Sequence, residues 1–176
     1  MAKCTKCQSL MERSVKAEHT EDLGGIVVNL VNAVVVRHCG SCSAEETAIP
    51  DMQGLVHTVA LVRALDPIRL AGKEVRFMRR ALDMTQKKFA EVMELTAETV
   101  SRWENGINGH GTASEKLLRH NVCALLHKRV VARAYDPALI TNMKFEGGSI
   151  EYITMERVRV VHESDHENAW DRRAVA

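Results

Sequence analysis

Hydrophobic residues follow two different periods along the chain, and the change of period predicts where strands give way to helices. Residues 12–18 and 26–37 are rich in β-branched side chains, which favours strands, and the Asp and Gly content of 20–25 between them predicts a turn. We expect Asn32 to bend the second segment into two short strands. Beyond residue 55, apolar residues recur every three or four positions, which is typical of helices.

The helical part divides at residues that favour helix ends. The expected helices are 51–66, a stretch that begins near 73, the runs that follow Thr85 and Thr96, and one that Ser114 caps and that ends near 128. In the last of these, Leu118, Val122 and Leu125 are expected to face inward. Asn105-Gly106 is expected to end the run that follows Thr96.

Four segments follow from this pattern. They are an N-terminal domain of residues 1–50, a connecting helix of 51–66, a helical domain of 67–133 and a C-terminal extension of 134–176. In the extension, 144–146 and 149–161 could form a β-hairpin around Gly147-Gly148, and we expect the polar end from 162 to be frayed. The predicted fold class is α+β, mainly α, with a small β-rich N-terminal domain.

The net charge of +1 conceals an uneven distribution. Residues 1–66 carry 6 basic and 8 acidic side chains, residues 67–133 carry 13 and 7, and residues 134–176 carry 5 and 8. The helical segment therefore has a net charge of +6 (13 minus 7), which attracts polyanions. The start of the chain lacks the apolar core of a signal peptide, and the apolar stretch 26–36 is too short to span a bilayer. We expect a globular, cytoplasmic protein that does not contact membranes.

Four of the five cysteines form two CxxC pairs, Cys4 with Cys7 and Cys39 with Cys42. A CxxC turn directs two thiolates at one point, and two such turns supply the four tetrahedral ligands that zinc prefers. This spacing predicts a structural zinc site, closed to substrates because all four positions are filled. Iron in the same cage and a redox-active thiol pair are the alternatives, although a redox CxxC usually accompanies a βαβ unit that this sequence lacks.

The fifth cysteine, Cys123, is expected to be a structural thiol. At helical spacing it shares a face with His120 and His127, away from the apolar stripe. A second metal site there is the less favoured interpretation, and a partner-facing or solvent-exposed surface is the more favoured one.

Residues 76–106 carry the most specific motif of the chain. Two short predicted helices, joined by a three- or four-residue turn, end in Ser-Arg-Trp-Glu-Asn-Gly. Such a unit can place its second helix, here about 97–105, in the major groove of DNA. The outward residues expected to face base edges are Ala97, Glu98, Thr99, Ser101 and Arg102. Val100 and Trp103 are expected to face the core.

This segment closely resembles the Cro/CI-type (XRE-type) helix-turn-helix, which implies a five-helix DNA-binding domain. Arg102 suits bidentate contact with guanine, and Glu98 suits the amino group of cytosine. The resemblance implies phosphate and base-edge contacts for Gln86 and Thr96, while Lys87, Lys88 and Asn105 are plausible DNA-backbone contacts. It also implies a buried ion pair between Arg79 and Glu104.

Two turn positions depart from the pattern of that family. Glu94 and Asp83 stand where glycine is common, and a positive φ at Glu94 would cost about 1 kcal/mol relative to glycine. Asp83 is the milder departure, because aspartate tolerates the left-handed region.

The order of CxxC pairs, connecting helix and helix-turn-helix is similar to the MqsA-type (YgiT-type) zinc-finger antitoxin family over residues 3–130. That resemblance implies a toxin partner for the zinc module and dimeric repression of an operon. The leading hypothesis is a homodimeric repressor that binds a palindromic operator in double-stranded DNA, either as an antitoxin or as a stand-alone regulator. The alternative is a protein-binding adaptor that keeps the helix-turn-helix for dimerisation. No catalytic motif stands out, so an enzyme is not expected.

Overall fold

The computed structural model describes residues 2–107, 109–130, 132, 135–161 and 166–173. Within them the strands are β1 (Met11–Asp22), β2 (Val27–Cys39), β3 (Glu45–Ala48), β4 (Ile153–Val161) and β5 (His166–Arg172). The helices are α1 (Met52–Leu65), α2 (Gly72–Ala81), α3 (Gln86–Val92), α4 (Ala97–Glu104), α5 (Thr112–Leu126) and α6 (Pro137–Thr141). The predicted α+β fold class is confirmed. Among the described helices, four lie within 67–133, and α1 precedes them.

Strand β2 is the centre of a five-stranded mixed sheet. Along one edge it pairs antiparallel with β1, from Met11 opposite Cys39 to Asp22 opposite Val27. The other edge is shared: β3 pairs antiparallel with residues 35–38, and β4 pairs parallel with residues 28–31. Strand β5 then pairs antiparallel with β4. The segments 1–50 and 134–176 therefore meet in one sheet.

Asn32 does not divide β2 into two strands. It has a φ of 49°, and Lys16 lies opposite Val34 whereas Glu18 lies opposite Val31. Two residues of β2 thus face the single residue Ala17, which is a β-bulge in a continuous strand. The expected bend is local, because hydrogen bonding to β1 resumes on both sides of it.

The C-terminal hairpin lies later in the chain than predicted. Residues 147–148 are outside any strand, and the hairpin consists of β4 and β5, which are connected by residues outside the described part. The expectation of a frayed end is wrong for 166–173. Trp170 of β5 is 1% exposed, and its indole N–H donates to the carbonyl of Asp51, 3.0 Å away, at the start of α1. A buried tryptophan holds this end of the chain against α1.

Helix α1 is buried on almost every side, as a helix at the centre of a domain must be. Leu55, Val59 and Val62 belong to a core that continues into β2 and the other helices, and α1 contacts α2, α5 and β5. Of the helices that the structure describes, none is long and apolar enough to cross a membrane.

A buried charge cluster of Arg63, Glu74, Glu115 and Arg119 fixes the connection between α1 and α2. Arg63 Nε lies 2.6 Å from Glu74 Oε1, and Arg119 Nη2 lies 2.8 Å from Glu115 Oε1. Both guanidinium groups also donate to the carbonyl of Ile68, at 2.8 and 2.7 Å. Because each buried charge has an opposite charge and backbone partners, the cluster is satisfied and the start of α2 is held in place.

Helix α5 differs from its prediction in two respects. It begins at Thr112 with Gly111 at the N-cap, so Ser114 is not its cap. Leu125 is exposed, and the next residue, Leu126, is buried with Leu118 and Val122.

Candidate metal centre and nucleic-acid interface

Two turns with the same backbone geometry hold the paired cysteines. The N–H of Gln8 donates to the carbonyl of Cys4 at 3.0 Å, and the N–H of Ser43 donates to that of Cys39 at 2.9 Å. Gln8 and Ser43, each four residues after the first cysteine of a pair, both have a positive φ, of 62° and 55°. The β1–β2 pairing, with Met11 opposite Cys39, brings the two matched turns together at one end of the sheet.

The four thiols converge on one point. Cys4 Sγ lies 3.6 Å from Cys42 Sγ, Cys7 Sγ lies 3.4 Å from Cys39 Sγ, and all four sulfurs lie within 4.8 Å of one another. Tetrahedral zinc with bonds of about 2.3 Å needs sulfurs about 3.8 Å apart. The four cysteines are therefore close enough to coordinate a metal ion, and the spacing is consistent with zinc.

Two thiols of this cluster have pKa values shifted in opposite directions. Ser9, through its hydroxyl and its backbone N–H, lowers the pKa of the Cys7 thiol to about 6. Although the N–H of Ala44 favours the thiolate of Cys42, hydrogen bonds with the other cysteines raise its pKa to about 12. Four thiolates at these distances repel one another, so a central cation is what would allow all four to be charged.

Cys123 does not extend the metal chemistry of the chain. It lies in the main core, where burial raises the pKa of its thiol to about 12, so the prediction that it shares an outward face is wrong. His120 instead lies 2.6 Å from the hydroxyl of Tyr135. Among the described residues, the N-terminal cysteines form the one group of three or more potential ligands close enough for a metal.

Helices α3 and α4 form a compact pair joined by a tight turn. Thr85 caps α3 by accepting from the N–H of Lys88, and Thr96 caps α4 by accepting from that of Thr99, as expected from the sequence. Between them Glu94 has a φ of 53°, and the N–H of Leu95 donates to the carbonyl of Ala90 at 2.8 Å. Val100 and Trp103 of α4 are buried, so α4 presents its other face outward.

Glu104 holds α4 against α2 and α3. It receives Arg79 Nε at 2.5 Å and Gln86 Nε2 at 2.9 Å, and Arg76 Nε lies 3.4 Å away. Burial alone would raise the pKa of Glu104, but the hydrogen bonds from Arg79 and Gln86 lower it below its ordinary value. The Arg79–Glu104 pair implied by the sequence resemblance is present. It favours the ionised form of the Glu104 carboxylate and holds α4 against α2.

A family model described as helix-turn-helix matches residues 75–117, from α2 into α5. This part of the chain is a helix-turn-helix. It covers about a quarter of the 176 residues. The match indicates a DNA-binding regulator of the XRE type, since units of this kind place their second helix in the major groove. No curated protein and no solved structure matches the chain, so the narrower MqsA-type resemblance stays a prediction.

The outward face of the helix-turn-helix carries the residues predicted to meet base edges. Ala97, Glu98 and Arg102 are exposed, whereas Thr99 and Ser101 are half-buried. Arg102 Nη2 lies 2.6 Å from Glu98 Oε1, one turn earlier on α4. The two side chains expected to contact bases thus bind each other in the free protein, and both are exposed to solvent.

The residues predicted to flank this face have mixed surroundings. Thr96 and Lys87 are exposed near the N-termini of α4 and α3, but the amide of Gln86 is bound to Glu104. Asn105 is exposed and accepts from Arg76 Nη2 at 2.8 Å. Arg76 is not among the residues predicted from the sequence, although its position three residues before Arg79 places both on one face of α2.

Gly72, the first residue of α2, permits close packing of α2 against the last turn of α4. A Cβ built on it would lie 2.5 Å from the carbonyl oxygen of Trp103 and 2.7 Å from that of Glu104. Because both neighbours are backbone atoms of the last turn of α4, any side chain at this position would push that helix away from α2.

Proposed function

We propose that this protein is a sequence-specific transcriptional repressor that recognises the DNA major groove with α4. The observation that carries the proposal is the exposed polar face of α4 within a helix-turn-helix, with Glu98 and Arg102 on the surface. The net charge of +6 over residues 67–133 supports it, because positive charge near the helix supplies sequence-independent attraction to phosphates.

Arg102 would provide the main base contact. Its bond to Glu98 joins two exposed side chains, and exposed i,i+4 pairs contribute about 0.3–0.5 kcal/mol. A bidentate contact with guanine contributes about 1–3 kcal/mol of discrimination. Exchange of the first interaction for the second is therefore favourable, and Glu98, once released, can accept from a cytosine amino group.

Other side chains would position the protein on the DNA backbone. The N-termini of α3 and α4, with Lys87 and Thr96 exposed beside them, suit phosphate oxygens because free N–H groups and positive charge meet there. Asn105 lies at the other end of α4. Gln86 could join them only by leaving Glu104, which favours a structural role for it in the free protein.

Zinc is the metal we assign to the four cysteines, in a structural role. Its preference for four thiolates in a tetrahedron matches the two turns, and the closed donor set leaves no position for a substrate. Cys4, Cys7, Cys39 and Cys42 would hold it, and the ion would neutralise their mutual repulsion. We infer no enzymatic activity for the chain.

Repression would require a dimer on a palindromic operator, since one short recognition helix contacts too few base pairs for specificity. The toxin partner implied by the antitoxin resemblance belongs to the same proposal. Co-purification with the product of an adjacent gene would identify an antitoxin, and its failure would favour a stand-alone regulator.

The test is an Arg102→Ala variant in a competition assay between operator, recovered by genomic footprinting, and random DNA. We expect the preference for operator to fall by about tenfold or more, while weak salt-dependent binding remains. Arg173→Ala, which removes an exposed arginine after β5, is the matched control and should behave as wild type. Unchanged operator preference in Arg102→Ala would refute the assignment of α4. Absence of any salt-dependent DNA binding by the wild type would favour the adaptor alternative.

A further inference from the structure

Two arginines lie side by side on the N-terminal part of the sheet. In the β1–β2 pairing, Arg13 of β1 lies directly opposite Arg37 of β2. Residues that lie opposite each other in paired strands point to the same face, so the two guanidinium groups share one face of the sheet. Arg13 is exposed and Arg37 is half-buried. Like charges in this arrangement repel each other, and an anion bound between them would remove that cost.

The hydrogen-bond pattern places this pair at the closer of the two cross-strand spacings. Met11 and Cys39, which lie opposite each other, both donate their N–H groups to carbonyls outside the β1–β2 pair. They are therefore a non-hydrogen-bonded pair, and Arg13 and Arg37, two residues further along each strand, are another. Side chains approach each other most closely at such positions. The same alternation directs the N–H of Arg13 to the outer edge of β1, as it does that of Met11.

Neither guanidinium has a partner within the part of the chain that the structure describes. No hydrogen bond, ion pair or ring contact of either side chain is found there. Glu46 of β3 pairs with Arg37 in the strand register, but its carboxylate accepts from the hydroxyl of Thr5 at 3.1 Å and forms no ion pair with that arginine. Two adjacent positive charges are therefore free to bind an anion.

Both arginines line a cleft with a volume of about 760 Å³. The other described lining residues are Ala2, Leu10, Met11 and Glu12. Leu10 is 60% exposed, so an apolar surface lies beside the two charges. Sites for small organic molecules have volumes of about 300–1,000 Å³, with mostly apolar walls and a few polar groups that orient the ligand. Glu12 carries the negative charge of this lining, and its side chain leaves β1 on the face opposite to that of Arg13.

We propose that this cleft binds a small organic anion, with a carboxylate or phosphate group between Arg13 and Arg37 and an apolar body against Leu10. Guanidinium groups suit both headgroups because they offer N–H donors in one plane, and the outward N–H of Arg13 supplies a further donor. A nucleic acid fits less well, because residues 1–66 carry 6 basic and 8 acidic side chains and would repel a long polyanion. The inference goes beyond the proposed DNA binding and does not depend on it.

The test uses the isotope-labelled full chain and follows the Nε–Hε NMR signals of its arginines in about 0.1 M salt, which screens non-specific attraction. The probes are benzoate, phenyl phosphate and benzamide, which share a ring and differ in charge. We expect benzoate or phenyl phosphate to shift the signals of Arg13 and Arg37, and the tighter of the two identifies the headgroup. Benzamide should bind about tenfold more weakly or worse, because it is neutral and forms no charge-assisted hydrogen bonds.

Four variants locate the binding site. Arg13→Gln and Arg37→Gln should each weaken binding of the preferred probe about tenfold or more. Lys16→Gln, which removes the same charge from the other face of β1, is the matched control and should bind as the wild type does. Leu10→Ala, at an exposed position, should weaken binding of the ring-bearing anions but not of acetate or inorganic phosphate. That variant keeps the test decisive if an arginine variant folds poorly.

Three results would overturn the inference. The first is a response to benzamide as strong as the response to both anions. The second is equal weakening by Lys16→Gln and the arginine variants, because the attraction would then be a general effect of charge. The third is loss of zinc from the arginine variants with no loss of anion affinity, which would show that the two charges offset the cysteine cluster instead. None of these results bears on α4, whose DNA binding the Arg102→Ala assay tests separately.

Discussion

Replacement of Glu115 by glutamine is the most direct test of the buried charge cluster. Glu115 is fully buried, and its carboxylate accepts from Arg119 Nη2 at 2.8 Å and from the N–H of Leu70 at 2.9 Å. His110 Nε2 lies 3.3 Å away. The substitution keeps the size of the side chain, removes its charge and replaces one acceptor oxygen by an N–H donor, which leaves the equally buried Arg119 without this counter-ion.

Two routes give the magnitude. Loss of one partner from a buried ion pair costs about 3–5 kcal/mol. Burial alone would raise the pKa of Glu115, but hydrogen bonds from His110 and Arg119 lower it from 4.5 to about 2. A depression of that size corresponds to about 3 kcal/mol of stability from the ionised form. We therefore expect Glu115→Gln to lower the free energy of unfolding by about 3 kcal/mol at pH 7.

The same linkage fixes the pH dependence. Because the folded-state pKa is depressed, the stabilisation is complete above the ordinary pKa of 4.5 and is lost as the pH falls towards about 2. At pH 3 the wild type has lost about 2 kcal/mol of it. The difference between wild type and Glu115→Gln should shrink to about 1 kcal/mol at that pH.

Urea denaturation of both proteins at pH 7 and pH 3 measures this difference. Acid also releases metal from cysteine clusters, but that loss affects both proteins alike and cancels in the comparison. Glu91→Gln, which neutralises an exposed glutamate 3.4 Å from Lys88, is the control and should change stability by less than about 0.5 kcal/mol. If Glu115→Gln were no more harmful than this control, or if its deficit persisted in acid, the reasoning would be refuted.

Two further predictions concern the metal and the turn before α4. Wild-type protein should contain one zinc per chain by elemental analysis, Cys7→Ser should contain far less, and Cys123→Ser should be unchanged; equal loss in both variants would contradict the assigned ligands. Glu94→Gly should raise the free energy of unfolding by about 1 kcal/mol, since residue 94 has a φ of 53°. A urea midpoint below that of the wild type would show that the Glu94 side chain contributes more than its backbone strain costs.

Features fixed by neighbouring residues could be predicted from the sequence. The caps at Thr85 and Thr96, the end of α4 at Asn105-Gly106 and the left-handed turn at Glu94 depend on hydrogen bonds within a few positions. The four cysteines that could hold a metal were equally predictable, because CxxC spacing itself directs two thiols together. The DNA contacts remain predictions, since they depend on a partner molecule.

Features that join distant residues could not be predicted. Val28 pairs with Ile153, and no local pattern specifies a parallel partner so far along the chain. In α5, Glu115 and Arg119 lie on the buried side, whereas sequence patterns assign charged residues to the solvent. The buried face of α5 therefore contains Glu115 and Arg119 together with Leu126, and Leu125, which the apolar pattern predicts to be buried, is exposed.

The position of β4 beside β2 sets the order in which the sheet can be completed during synthesis. Residues 28–31 emerge from the ribosome long before residues 153–156, their partners on that edge. Until then Val28 and Leu30 lack the neighbour that covers one side of their strand, and a nascent chain exposes an incomplete, aggregation-prone sheet. Translation that stalls before β4 would yield a chain that carries its helix-turn-helix segment on an unfinished sheet.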